Sequence, residues 1–153
     1  MTNVDPIFAK LTAAGEPFAL VEREGSRLFA NMPPDLNMLI ESARRHGDKT
    51  FIVEGKKRLT FDDVFRLRDA LVPLLGVQAR GDRVAICMRN RSEWAIAFLA
   101  TIRAGGVPAL VNSRGAPAEL AAAVEDVDPV VVLADRERAA LLAEGGYAGR
   151  IIE

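Results

Sequence analysis

The sequence predicts an α/β fold in which a parallel sheet is flanked by helices. Three short apolar runs, at 84–88, 107–111 and 130–134, are typical of strands that are covered on both faces. Two stretches of helical length separate these runs, at about 92–104 and 117–127. Strands that alternate with helices in this way form a Rossmann-like sheet with right-handed crossovers.

A region of short helices and hairpins, residues 1–80, is predicted to precede the sheet region at 81–153. A short helix is expected over 5–14, because Asp5 can act as its N-cap. The stretch "FALVEREGSRLFAN" then predicts two strands around a turn at Glu24-Gly25.

Two further helices and a second hairpin are predicted within residues 35–75. A helix over 36–46 is expected to begin after Asp35, and "TFIVEGKKRLTF" predicts a hairpin that turns near Gly55. Thr60 is the expected N-cap of the next helix, where Asp63 completes an approximate capping box.

The apolar side chains of the helix after Thr60 lie largely on one broad face. Pro73 should kink the last turn of this helix or end it early, because proline cannot donate a backbone hydrogen bond.

In the sheet region, Ser92 is the expected N-cap of a helix that runs to about Ala104. Pro117 lies near the start of the next helix, and Asp135 opens a third. A fourth parallel strand is predicted at Ile151-Ile152, just before the sequence stops. We therefore expect the chain to be a fragment of a larger fold, cut at its last strand.

The helix that contains Trp94 is apolar on every face, since residues 94–100 are consecutive apolar side chains. A helix of this kind must be buried on more than one side. The expected cover is the region 1–80, the remaining domains of a larger enzyme, or a homo-oligomer partner, and we favour a neighbour absent from this chain.

Charge and composition exclude several classes of function. A net charge of −1 gives no electrostatic reason to expect a nucleic-acid partner. Cys87 is the only cysteine, so no internal disulfide is possible, and its apolar surroundings predict a buried side chain. His46 has no nucleophile constellation beside it. With no signal peptide and no transmembrane run, the expected localisation is cytoplasmic.

The sequence contains no motif that would bind a nucleotide phosphate or a metal by itself. The turn after the first parallel strand reads "RNRSEW" instead of G-x-G-x-x-G, and no G-x-x-x-x-G-K-[ST] occurs. The carboxylates of "EDVD", residues 125–128, lack the spacing of a calcium loop.

Position in the predicted fold singles out one candidate. Ligands of open parallel sheets lie outside the carboxyl ends of the strands, where the loops 89–91, 112–114 and 135–138 are expected. Arg114 lies there beside a glycine, and its guanidinium could bind a phosphate or carboxylate. The alternative is an ion pair with Glu119 or Asp135. The side chains of Asn90 and Asn112 are expected to brace turns.

Over residues 35–145 the sequence resembles the N-terminal part of the adenylate-forming acyl-CoA synthetases. The resemblance rests on the order and spacing of "LTF" at a helix start, "GDRVAI", "RNRSEW", "AGGVPALVN" followed by Arg114, "AEL" and "VVLAD". It implies a fatty-acid or aryl-acid CoA ligase that uses ATP, Mg and CoA to convert a small carboxylic acid to an acyl-adenylate and then to an acyl-CoA.

The same resemblance implies that this chain does not catalyse alone. The family's phosphate-binding loop and its catalytic lysine lie beyond residue 153, so no catalytic residue is assigned here. Arg114 matches an arginine that lies near the nucleotide end of CoA in some relatives. Ser113 replaces the proline often found beside it, which predicts a looser loop. The alternatives are a stand-alone, non-catalytic binding or oligomerisation module and an unrelated Rossmann-like nucleotide binder.

Overall fold

The structure is a computed structural model that describes residues 5–153. It separates into two compact units, Met1–Leu39 and Ile40–Glu153. Residues 40–80 therefore group with the sheet, whereas the sequence placed the division at residue 80.

In the first unit, α1 (Pro6–Leu11) precedes an antiparallel hairpin of β1 (Leu20–Arg23) and β2 (Ser26–Phe29). Glu24 and Gly25 form the predicted turn, and both have the positive φ angles that a tight hairpin turn requires.

The first helix is capped by Asp5 as predicted, with Asp5 Oδ1 accepting a hydrogen bond of 2.8 Å from the Ile7 N–H. The prediction that it extends to residue 14 is wrong, because the helix ends at Leu11. The Thr12 carbonyl accepts instead from the Leu20 N–H at 3.3 Å, which turns the chain towards the hairpin.

The helix predicted over 36–46 is divided. After the Asp35 cap, α2 (Leu36–Glu41) is regular, and a 3₁₀ helix, Ser42–His46, follows it. The tighter 3₁₀ turn ends where the Gly47 N–H donates to the Arg44 carbonyl at 3.0 Å.

The second unit continues with the hairpin of β3 (Thr50–Glu54) and β4 (Lys57–Thr60), followed by α3 (Phe61–Leu71). The predicted capping box of Thr60 is confirmed. The effect of Pro73 is also confirmed, because α3 gives way to a 3₁₀ turn, Val72–Leu74.

Four parallel strands form the predicted sheet, and three helices connect them. The strands are β5 (Arg83–Cys87), β6 (Val107–Leu110), β7 (Val131–Ala134) and β8 (Ile151–Ile152), in the order β6-β5-β7-β8. The helices are α4 (Ser92–Arg103), α5 (Pro117–Val127) and α6 (Arg136–Glu144).

The two faces of the sheet bury different side chains, as the strand period of two requires. On one face, Val84 and Ile86 pack with Ala97 and Ala100 of α4. On the other face, side chains of β5 and β7 pack against side chains of α5 and α6. The strands contribute Ala85, Cys87 and Val132, and the helices contribute Leu120, Val124 and Leu142. The helix α4 thus lies on one face and α5 and α6 lie on the other.

The apolar helix α4 is covered within the chain, by α3. The two helices pack directly against each other, and Trp94 and Phe98 are half-buried with their rings stacked at 5.7 Å. Of the three covers considered, the structure shows the region before residue 81. A further cover by another domain or subunit, which we favoured, stays a prediction.

Ser92 does not cap α4 as predicted. The N-cap position belongs to Arg91, which makes no side-chain cap bond. Glu54 provides the acceptor from outside the helix, since its Oε2 accepts from the Ser92 N–H at 3.1 Å and from the Ser92 Oγ at 2.7 Å. The carboxylate of a distant hairpin therefore replaces the local cap.

Cys87 is fully buried in the sheet, as predicted, and burial raises the pKa of its thiol to about 11. Because the thiolate is the reactive form, we expect no reaction with a thiol-specific reagent at pH 8 while the chain is folded. Complete labelling should appear in denaturant, which serves as the control. Rapid labelling of the folded chain would contradict this burial.

Across residues 5–153, no helix combines the length and the apolar character that crossing a bilayer requires.

Candidate functional site

The sheet changes its direction of winding between β5 and β7, because the strand order is β6-β5-β7-β8. The connection after β5 leads to α4 on one face, and the connection after β7 leads to α6 on the other. Two such loops diverge and leave a crevice, which is where open α/β sheets bind ligands. The loops at this crevice are residues 89–91 and 135–138, and residues 112–114 after β6 line the same cleft.

An open cleft of about 1210 Å³ occupies this position. The three loops predicted at the carboxyl ends of the strands all contribute to it, and β3 adds one residue. Its lining is polar and consists of Glu54, Arg89, Asn90, Arg91, Asn112, Ser113, Arg114, Asp135, Arg136, Glu137, Arg138 and Ala140. Five arginines face three carboxylates, so the cleft is suited to an anionic ligand.

Asp135 joins the β5 loop to the start of α6. Its Oδ2 accepts a hydrogen bond of 3.0 Å from the Arg89 N–H, and its Oδ1 accepts one of 3.0 Å from the Arg138 N–H. Burial opposes ionisation of this carboxyl, but the two N–H donors and the charge of Arg138 outweigh it and lower the pKa of Asp135. The group is therefore an anion that holds two backbone segments.

Arg138 joins the loop after β6 to the start of α6. Its side chain is almost fully buried, and its Nε donates to the Ser113 carbonyl at 2.9 Å. The guanidinium also pairs with Glu137 at 2.6 Å and lies 3.5 Å from Asp135. The loop that carries Ser113 is thus tethered to α6, although the replacement of proline predicted a looser loop.

Replacing Asp135 with Asn should loosen the β5 loop, because a neutral amide cannot accept both N–H groups with two ionised oxygens. We expect a loss of about 1–3 kcal/mol in the free energy of unfolding, measured by urea denaturation. Amide exchange of Arg89 should become faster. Asp126→Asn, an exposed change of the same kind, should leave both measurements unchanged. Unchanged exchange at Arg89 in Asp135→Asn would contradict the tether.

Arg114 lies in the cleft, as its predicted position requires, and its side chain is exposed. Its backbone N–H donates to Oδ1 of Asn112 at 3.2 Å, so Asn112 braces the turn as predicted. Neither alternative partner holds the guanidinium of Arg114. Glu119 accepts instead from the Ala116 N–H, and Asp135 is engaged as described. Within residues 5–153 this guanidinium makes no ion pair.

The structure adds Arg89 and Glu54 to the site, neither of which the sequence singled out. Arg89 is exposed, and its guanidinium has no carboxylate partner in the described part of the chain. Glu54 reaches the cleft from β3. Its Oε2 accepts a hydrogen bond from Oγ of Ser92, and its Oε1 lies 3.4 Å from Nε of Arg91. Arg89 stood in a loop already expected at the site, whereas nothing in the local sequence indicated Glu54.

The two other polar features considered in the sequence lie elsewhere. His46 packs against the ring of Phe61, with the ring centres 4.9 Å apart. Asp128 is exposed at the end of α5, 3.7 Å from Arg83. No cluster of three or more metal-ligating side chains occurs in the part of the chain that the structure covers.

Comparison with known proteins identifies the family. The family model described as AMP-binding enzyme matches residues 39–150. The medium/long-chain-fatty-acid–CoA ligase FadD6 of Mycobacterium tuberculosis is 28% identical over 72% of this chain and 19% of its own length. The acetyl-coenzyme A synthetase of Streptomyces coelicolor is 36% identical over 90% of this chain and 22% of its own length.

A solved structure shows the same fold. The N-terminal domain of FACL13 from Mycobacterium tuberculosis matches 76% of this chain and 33% of that one, with a TM-score of 0.66 and 23% identity. The present chain therefore spans about a fifth of the curated relatives, at 19% and 22%, and a third of this solved chain. Since the family model matches most of its length, the chain belongs to the AMP-binding enzyme family.

Proposed function

We propose that this chain is the N-terminal fragment of an ATP-dependent carboxylic acid–CoA ligase. In the complete enzyme, a small carboxylate attacks the α-phosphate of ATP, which forms an acyl-adenylate and releases pyrophosphate. The thiol of CoA then takes the acyl group, loses its proton and releases AMP. The family membership and the CoA ligases among the relatives support this assignment. The fragment itself carries no group for the chemical steps and is inactive alone.

The observation that carries the proposal is the arginine-rich cleft at the divergent loops. The guanidinium groups of the cleft can bind an anion at an open surface. The sequence has no glycine-rich phosphate loop, so the side chains and not the backbone would hold this anion. We assign Arg114 to the nucleotide end of CoA. Its exposed guanidinium makes no ion pair within residues 5–153 and is available for a phosphate.

The described residues do not fit the triphosphate of ATP or its magnesium. No backbone cradle of glycine-rich sequence lies at the cleft, and no metal-ligating cluster occurs among residues 5–153. ATP and Mg therefore belong, in this proposal, to the segments that the relatives carry beyond the matched region.

The competing proposal is an oligomerisation module, which predicts that the exposed face of the Trp94 helix forms a homo-oligomer interface. Within this chain α3 packs against α4, and Trp94 and Phe98 are half-buried.

Product analysis tests the proposal directly. The full protein that carries these residues should release AMP and form acyl-CoA from ATP, CoA and a member of a panel of carboxylic acids, in equal amounts. Residues 1–153 alone should release no AMP under the same conditions. Omission of the acid is the control. Release of ADP instead of AMP, or catalysis by residues 1–153 alone, would contradict the proposal.

A further inference from the structure

Two arginines at the cleft differ from the other three because no carboxylate neutralises them. Arg138 pairs with Glu137 and Asp135. The other two paired arginines have weaker partners: Arg91 lies 3.4 Å from Glu54, and Arg136 lies 3.9 Å from Glu153. Arg89 and Arg114 have no such partner among residues 5–153.

These two arginines stand on the loops that follow two neighbouring strands of the sheet. Arg89 follows β5 and Arg114 follows β6, and the register pairs Ile86 with Leu110. Arg89 is three residues beyond Ile86, and Arg114 is four beyond Leu110, so the two lie at nearly the same level above neighbouring strands. Both line the same cleft, so a ligand in it can meet both guanidinium groups.

The backbone beneath each arginine is fixed while its side chain stays unpaired. The Arg89 N–H is held by Asp135, and the Arg114 N–H is held by the side chain of Asn112. Arg138 further tethers the carbonyl of Ser113. A fixed backbone reduces the ordering cost when the guanidinium groups close on an anion.

We propose that Arg89 acts with Arg114 to bind the phosphate monoester of CoA, and that the pair selects CoA over dephospho-CoA. This inference rests on the proposed function and adds a second, specificity-determining residue to it. A phosphate monoester carries about 1.5 to 2 negative charges at neutral pH, which two guanidinium groups match. The planar fork of arginine also suits its oxygens.

The diphosphate of CoA is a poorer match for this pair. Each of its phosphates carries a single charge, and diphosphates are commonly held by backbone N–H groups of glycine-rich turns. The turn after β5 reads "RNRSEW" and offers bulky side chains instead. The difference between CoA and dephospho-CoA, which is one phosphate monoester, is therefore the contrast that the two arginines should detect.

Isothermal titration of the chain with CoA and dephospho-CoA tests this pair. CoA should bind the unmodified chain at least about tenfold more tightly, as expected when a charged hydrogen-bonded group is lost. Arg89→Gln and Arg114→Gln should each remove most of this preference. Arg80→Gln, an exposed arginine before β5, should retain it. Because all three side chains are exposed, thermal unfolding should show that the variants remain folded.

The outcomes separate the two proposals. If Arg114→Gln loses the preference and Arg89→Gln keeps it, the role of Arg89 is wrong and the CoA assignment of Arg114 stands. If CoA and dephospho-CoA bind equally to the unmodified chain, the selection of the monoester is wrong. If neither binds, both the proposed CoA cleft and the arginine pair are wrong.

Discussion

Replacing Arg68 with Ala should lower the free energy of unfolding by about 3 kcal/mol, the lower part of the range for a broken buried ion pair. The side chain of Arg68 is fully buried, which is rare for a charged group. Its two carboxylate partners, Glu41 and Asp69, remain 30% and 43% exposed, so water can partly solvate them after the change. This partial solvation is the reason for choosing the lower part of the range.

The expected loss is large because Arg68 belongs to a closed network. Its guanidinium contacts Glu41 and Asp69, each at 2.6 Å, and the contact with Glu41 is an ion pair without hydrogen-bond geometry. Arg44 contacts the same two carboxylates, also at 2.6 Å each. Both guanidinium groups lie over the ring of Phe65, at 4.4 and 4.5 Å from its centre.

Two further variants serve as comparisons: one removes an exposed arginine, and the other removes the charge of Arg68 but keeps much of its volume. Arg66→Ala removes an exposed arginine of the same helix, which pairs with Asp63 at 3.2 Å, and should cost less than about 1 kcal/mol. Arg68→Met keeps much of the volume and should be less destabilising than Arg68→Ala. Urea denaturation measures all three. A loss for Arg68→Ala no greater than that for Arg66→Ala would contradict the role of the network.

The network should also make the fold sensitive to acid. Burial opposes ionisation of Glu41 and Asp69, but the hydrogen bonds that Arg44 donates to both and the charges of the two arginines outweigh it and lower the pKa of each carboxyl. A lowered pKa in the folded state stabilises the fold above the ordinary values of 4.5 and 3.8, and this contribution is lost as the pH falls below them. Arg68→Met should show a smaller loss of stability across that window.

Replacing Gly145 with Ala should destabilise the chain by about 3 kcal/mol, as severe overpacking does. Gly145 follows α6 and lies against the start of α5. A Cβ added there would overlap the backbone carbonyl of Pro117 and lie 2.9 Å from Cβ of Ala121. The obstacle is backbone, which cannot turn aside as a side chain can. The φ of Gly145 is −74°, so the cost arises from the close approach of the helices and not from backbone strain.

Glu144→Ala is the matched control for Gly145→Ala, because it places the same methyl group at the adjacent, exposed position. It should change the free energy of unfolding by less than about 0.5 kcal/mol. Denaturation of the two variants side by side makes the comparison. Equal stability of Gly145→Ala and the unmodified chain would show that α5 and α6 are not packed as described.

The sequence predicts the sheet well because its signals are local and repeated. Apolar runs bounded by glycine and proline place β5, β6 and β7, and the same rhythm places β8 at Ile151-Ile152. The capping box at Thr60 and Asp63 is likewise contained in four residues. Signals of this kind need no knowledge of the tertiary structure.

The failures arise where a distant residue overrides a local signal. Ser92 has the composition of an N-cap, but Glu54, from another hairpin, provides the acceptor at the start of α4. In the same way, the sequence of the apolar helix α4 cannot show that α3 folds back over it. Both contacts depend on the tertiary arrangement.

The candidate site shows the same division. Arg114 could be placed because it follows a predicted strand, and the strand ends of a parallel sheet meet at one edge. The tether from Arg138 to the Ser113 carbonyl spans 25 residues and has no sequence motif. The sequence also could not show that the guanidinium of Arg89 lacks a carboxylate partner within residues 5–153. That follows only from the structure, in which Asp135 pairs with Arg138 and Glu54 lies close to Arg91.

The most direct test of the account is the kinetic effect of Arg114→Gln in the full protein that carries this chain. Lost contact with the CoA nucleotide should raise the KM for CoA about tenfold or more. Acid-dependent ATP–pyrophosphate exchange, which reports adenylate formation without CoA, should remain within about twofold of the unmodified enzyme. A raised KM with intact exchange is the predicted result. An unchanged KM for CoA would contradict the assignment of this cleft.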